Sequence, residues 1–213
     1  MADVFGSDIF NDPAPVVQRK RVEAGTYVGR LYGIADLGTQ QKIDKKSGEE
    51  YVERIVKFSF ELPTELSDLG RGKLEPATVH DQFVKFELKP NSKSQRLTMF
   101  KYAQALVGLT QETLSGFRVD SLLGKACSLT IDSDGEYDNI VGISALAKGM
   151  TAPGQINPTI KYSVLADGFD SDAFKALNKG ARRAITKSVE FQDWAKQNRV
   201  QADEITRDCA KDQ

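Results

Sequence analysis

Residues 91–108, NSKSQRLTMFKYAQALVG, change the period of the chain, and what stands on either side of them decides the fold. Leu97, Phe100 and Ala103 to Leu106 recur at helical spacing, with Ser92 or Ser94 placed to cap the first turn and Gly108 to end the helix. Upstream the period is two. In Tyr51–Leu62 the residues Val52, Val56, Phe58, Phe60 and Leu62 share one parity, and Tyr51, Glu53, Lys57, Ser59 and Glu61 the other, which predicts one core face and one wet face. Asp81–Lys89 alternates in the same way, with Val84, Phe86 and Leu88 inward and Phe83, Lys85, Glu87 and Lys89 outward. Ala24–Ala35 is rich in β-branched and aromatic residues and carries Gly25, Gly29 and Gly33, as a long strand that bends or bulges at glycine does. Polar stretches at Asp36–Glu50 and Pro63–His80 read as the loops between these strands, with the single histidine, His80, exposed at a loop end.

Downstream of the helix, a second short helical stretch opens at Thr110. Lys125–Asp132 and Tyr137–Leu146 then form a β-hairpin about Asp134 and Gly135. The order strand, strand, strand, helix, strand, strand is that of the OB-fold, a five-stranded Greek-key barrel with its helix between strands three and four. The expected class is mainly β with helices, carrying a C-terminal helical extension.

Three segments follow. Residues 1–22, with Pro13, Pro15 and the triplet Arg19, Lys20, Arg21, read as a flexible arm; 23–149 form the OB-fold domain. Residues 150–213 open on a linker, MTAPGQINPT, and continue into an acidic-aromatic run at 167–174 and a helical stretch through Trp194. Two roles are open for this last segment. Either Phe174, Leu177, Ile185, Phe191 and Trp194 pack a helical extension onto the barrel, or Asp167, Asp170 and Asp172 with Phe169 and Phe174 occupy the binding groove in place of phosphates and bases.

Charge and composition exclude several classes. With 29 Lys and Arg against 30 Asp and Glu the net charge is −1, so any affinity for nucleic acid must come from local charge. No run approaches a membrane span, and the acidic N-terminus lacks the basic start and apolar stretch of a secretory signal, so the protein is expected inside a cell. Cys127 and Cys209 read as unpaired reduced thiols rather than as a disulfide. Phosphate-binding glycine loops, nucleophile triads and metal-ligand spacings are missing, so no catalytic residue, metal or cofactor is expected. The one alternative is a nuclease-like metal site at Asp132, Asp134, Glu136 and Asp138, against which stands the ordinary acidity of a hairpin tip.

The chain resembles a family of phage single-stranded DNA-binding proteins with an OB-fold. The stretches that carry the resemblance are AGTYVGRLYGIADLGTQ (24–40), RIVKFSFELP (54–63), LLGKACSLTI (122–131) and YDNIVGISALAKG (137–149). It implies a protein that binds and protects single-stranded DNA during phage replication or recombination, in the cytoplasm of an infected bacterium, with replication or recombination proteins docking through the C-terminal segment. The chain departs from the usual acidic tail with a terminal aromatic, since it ends CAKDQ. The alternative is a non-enzymatic structural or adaptor protein of a phage replication complex or virion.

Binding a single strand without base preference needs cations along the phosphates and aromatic faces for the bases. On an OB-fold these lie on the outer face of strands two and three and on the flanking loops. By parity that face offers Tyr51, Lys57, Phe83, Lys85 and Lys89, with Lys93 continuing the basic segment; the first loop offers Lys42, Lys45 and Lys46. Arg54 falls on the core parity but near a barrel mouth. Arg30 either meets phosphate or pairs with Asp36. Phe83 is the sharpest pointer, as an outward phenylalanine between charged residues is either a stacking platform or is covered by the C-terminal segment.

Overall fold

A computed structural model describes residues 22–68, 74–89, 97–133 and 138–210. Three long strands open the fold: β1 (Gly25–Ile43), β2 (Glu50–Asp68) and β3 (Leu74–Lys85). Helix α1 (Met99–Val107) follows, then the hairpin β4 (Ala126–Ser133) and β5 (Asp138–Ser144), a short β6 (Ile160–Tyr162), and the helices α2 (Asp172–Lys175), α3 (Lys179–Ile185), α4 (Val189–Gln197) and α5 (Arg199–Ala210). The sheet runs β3-β2-β1-β4-β5 with antiparallel neighbours, and β6 joins β1 in parallel, Gly33 opposite Ile160. The architecture is therefore mainly β with helices. Cα atoms of β3 and β5, the two ends of the ladder, approach within 8 Å, but among the described residues no hydrogen-bonded pairing joins them.

Helix α1 stands between the third and fourth strands, as the period change predicts. Its cap is Thr98, whose hydroxyl accepts from the Lys101 N–H; Ser92 and Ser94 lie outside the described residues. Gly108 ends the helix in the left-handed region at φ 67°. Met99, Phe100, Tyr102, Ala103 and Leu106 are buried against Val56, Phe58, Phe60 and Leu62 of β2 and Cys127, Leu129 and Ile131 of β4. Tyr102 stacks on Phe60, meets Phe58 edge-on and donates to Asp81 Oδ2 at 2.7 Å, so the ring is buried and its hydroxyl satisfied. The stretch after Thr110 forms a turn at 111–113 and a short 3₁₀ turn at Val119–Leu122 rather than a second α-helix.

Much of both predicted loops is strand among the described residues. β1 runs on through Ile43 and β2 begins at Glu50, so only 44–49 turn between them, and Lys42 sits in a ladder opposite Tyr51. The β2–β3 ladder likewise extends through Leu66–Pro76 to Asp68–Leu74, which places His80 in a strand opposite Ser59, half-buried, instead of at a loop end. β1 changes register between Leu31 and Gly33 and again between Asp36 and Thr39. At the second irregularity Gly38 takes φ 76°, and a Cβ there would meet Ser188 at 2.7 Å, so both the backbone and the approach of the later chain require glycine.

The largest departure concerns the second face of the sheet. Lys57, Ser59 and Glu61, expected on a wet face, are buried, with Glu61 at 0% exposure. Residues 150–210 cover them. Ala35, Leu37 and Ile55 of the sheet form a second apolar cluster with Tyr162, Val164, Phe169, Phe174, Leu177, Ile185 and Phe191 of the later chain. The expected linker is tied down by the sheet itself: Glu61 accepts from the N–H groups of Ile156 and Asn157 at 2.8 and 2.7 Å and from Asn157 Nδ2 at 2.7 Å. Phe174, Leu177, Ile185 and Phe191 pack with the sheet as the helical extension requires, with Trp194 packed against them, and Phe169 and Phe174 are buried there at 5% and 2% exposure. Both cysteines are free and buried, Cys127 on β4 and Cys209 on α5. Among the described residues no helix is long and apolar enough to cross a membrane.

Candidate nucleic-acid interface

The C-terminal cap does not cover the end of the sheet where the β1–β2 hairpin turns and β3 finishes. Tyr51 and Phe83 are exposed there at 45% and 59%. Val84 packs into the core at 0% exposure, so its neighbours Phe83 and Lys85 point the other way, toward the face that carries Tyr51, Glu53 and Ile55. Lys85 stands opposite Ile55, and Lys42 opposite Tyr51. Two aromatic rings and two lysines thus share a strip bordered by the cap.

Acids run through this strip. Glu53 pairs with Lys42 and, at 3.7 Å, with Lys85; Glu87 pairs with Lys85 and Lys89, both at 3.3 Å. Burial raises the Glu87 carboxyl, but hydrogen bonds from the two lysines outweigh it and hold the group below its ordinary range. Lys45 and Lys46 are exposed in the turn, where the Asp44 carboxylate accepts from the N–H groups of Lys46 and Ser47; those bonds keep the Asp44 carboxyl low.

The other expected contacts divide. Phe86, read as a core residue, is 41% exposed. β3 ends at Lys85, and the ring leaves the core to lie 5.7 Å from the Arg54 guanidinium carbon, while the Phe86 N–H still donates to the Arg54 carbonyl at 2.9 Å. Arg54 itself is paired with Asp36 through two hydrogen bonds. Arg30 therefore does not pair with Asp36. It donates to the backbone carbonyls of Gly124, Ala152 and Pro153 and fastens the 150s chain to β1 of the sheet. Lys57 is buried beneath the cap. It borders a cavity of about 350 Å³ with Ser59, Thr78 and His80 from the sheet and Asn157 and Asn178 from the cap. Lys93 lies outside the described residues, as do Asp134 and Glu136 of the metal-site alternative.

Two features were missed in the sequence. Glu53 and Glu87 fall on the outward parity with the lysines, and acids on the lysines' parity are the signal of pairing. Helix α3 was not read as a neighbour of the strip, yet a Cβ on Gly180 would lie 4.0 Å from Gln82 Oε1, one residue from Phe83. No family model matches the chain, nor does any curated protein or solved structure.

Proposed function

We propose that this protein binds single-stranded DNA with little base preference and without cutting it. The observation that carries the reading is the pair of exposed rings, Tyr51 and Phe83, on a strip edged by Lys42, Lys45, Lys46, Lys85 and Lys89. Two large aromatics exposed on one strip among cations, several residues apart along the ladder, cost solubility and have a use when bases stack on them, each stack contributing roughly 1–3 kcal/mol. The lysines supply sequence-independent attraction to phosphate, in exchange for their contacts with Glu53 and Glu87.

In this reading the sheet is an OB-type barrel whose closing strands are β3 and β5, with α1 at its base. The strand order, the helix between β3 and β4 and the nearness of the two end strands support that topology. The protein is then kin to phage single-stranded DNA-binding proteins acting in replication or recombination, with one modification: the C-terminal cap takes over much of the face such barrels offer to a strand and displaces binding toward the hairpin end.

Titration of a fluorescent oligothymidine at low and moderate salt tests the proposal. Expected is micromolar or tighter binding that weakens steeply with salt and leaves the oligonucleotide intact. An anisotropy that stays flat at micromolar protein in low salt overturns it and favours the adaptor role.

A further inference from the structure

The acid-free run richest in cations lies in the cap and not in the strands. From Ala173 to Val189 there are five cations, Lys175, Lys179, Arg182, Arg183 and Lys187, and no acid. Arg182 is spent on structure, donating to Asp208 of α5 at 2.7 Å with its side chain 15% exposed. Lys175, Arg183 and Lys187 are exposed, and among the described residues no carboxylate lies within ion-pair distance of them. Ala181 and Ile185 hold α3 to the second apolar cluster, so Arg183 is left on the solvent side of the helix.

The position of α3 gives this charge a context. Its first turn adjoins β3 at Gln82, beside Phe83, and its last turn is held to β1, where Gln40 Nε2 donates to the Ala184 carbonyl at 3.1 Å. The helix therefore crosses the sheet beside Phe83 and carries Arg183 on its solvent side, with Lys187 just past its last turn and Lys175 on α2 before it, and these three cations make up a basic ledge. The strip's own lysines 42, 85 and 89 are engaged by Glu53 and Glu87, whereas the ledge cations Lys175, Arg183 and Lys187 have no such competitor. A polyanion leaving the rings finds its strongest unopposed attraction there.

We propose that the bound strand continues from Tyr51 and Phe83 onto this ledge, so that Lys175, Arg183 and Lys187 hold phosphates while the strip stacks bases. The inference rests on the single-stranded DNA reading and assigns the cap a direct part in that site. It also turns the net charge to account, since cations on a ledge separate from the acidic remainder give local attraction in a chain of net charge −1.

The test is a triple variant, Lys175→Gln, Arg183→Gln and Lys187→Gln, in the full-length chain. All three side chains are exposed, so the melting temperature should stay at the wild-type value, and a measured melt verifies this. Binding is followed by anisotropy against salt for oligothymidines of increasing length. Each phosphate contact to a single strand contributes about 0.7 to the slope of log K against log salt, so the variant should lose about 2 from the slope on long oligonucleotides. The shortest oligonucleotides that bind, spanning the strip alone, should be nearly indifferent to the substitutions. If wild-type protein binds and the triple variant keeps the same slope at every length, the ledge is not part of the site and the strip alone stands. If the wild-type protein binds no oligonucleotide, the parent reading fails and the ledge with it.

Discussion

The carboxylate of Glu190 accepts hydrogen bonds from both the N–H and the hydroxyl of Thr39, each at 2.8 Å. One side chain at the start of α4 thereby satisfies the backbone of β1 beside its second irregularity, and ties cap to sheet across 151 positions of sequence. Burial opposes ionisation of Glu190, but the bonds from Thr39 and the nearby Arg54 outweigh it and hold the carboxyl below its ordinary range. A carboxyl with a depressed folded pKa stabilises above its unfolded value, near 4.3, and that contribution is lost as pH falls through the folded value. Glu190→Ala should therefore cost roughly 1–3 kcal/mol at neutral pH, with the gap to wild type narrowing below about pH 4. Urea unfolding at several pH values measures this. An equal gap at pH 7 and pH 3 would show that the charged bonds are not its source.

The aromatic residues should separate into two groups. Phe58→Ala removes a ring at 0% exposure and should destabilise by about 3–5 kcal/mol. Phe83→Ala and Tyr51→Ala should each weaken oligothymidine binding by roughly 1–3 kcal/mol with little change in melting temperature. Phe86→Ala belongs with the surface residues, because its ring rests on Arg54 and not in the core. A loss of stability at Phe86 matching that at Phe58 would contradict its placement.

What the sequence discloses is the part of the fold that one apolar face imprints on a strand or helix. Val56, Phe58, Phe60 and Leu62 alternate because one layer packs on them, and α1 declares itself by its period. The far ends of β1 and β2 leave no such imprint. There Gln41 pairs with Val52 and Lys42 with Tyr51 outside the core, so polar residues form a ladder that reads as a loop. The covered second face is hidden for another reason: Lys57, Ser59 and Glu61 are polar, and what buries them comes from a segment about a hundred residues later. Ile55 was the available clue, a large apolar residue on the supposed wet parity. The strip itself was legible in Phe83, Tyr51 and the lysines, because an outward aromatic among charges is visible locally. Its borders were not, since they depend on where the cap stops.

Glu53 sits between Lys42 and Lys85 and holds both. If the strip binds phosphate, that carboxylate competes with it. Glu53→Gln keeps the shape and removes the competitor, at a cost of about 0.2–1 kcal/mol for each exposed pair lost. Oligothymidine binding at low salt should tighten by roughly two- to thirtyfold, the binding equivalent of the two pairs together. Weaker binding in Glu53→Gln, measured by the same anisotropy titration, would mean that the pairs position the lysines rather than occupy them.

Ending the chain after Gly149 strips away the whole cap, and the sheet dictates the outcome. Leu37 and Ile55, each at 1% exposure, would face water together with Ala35, and a fully buried aliphatic side chain is worth about 1.5–3 kcal/mol. Arg30 would lose its acceptors at Ala152 and Pro153, and Glu61 the three donors from Ile156 and Asn157. These polar groups regain water, so the main loss is apolar and should appear as aggregation, dye binding to exposed hydrophobic surface and a lowered or uncooperative melt. A cap acting only as a removable competitor for the groove predicts the opposite, a stable fragment with tighter DNA binding. Supplying residues 150–213 as a separate chain should restore solubility, because the two cluster halves meet through side chains that need no covalent link. A soluble monomeric fragment that melts at the full-length temperature would refute the view that the second apolar cluster holds the fold together.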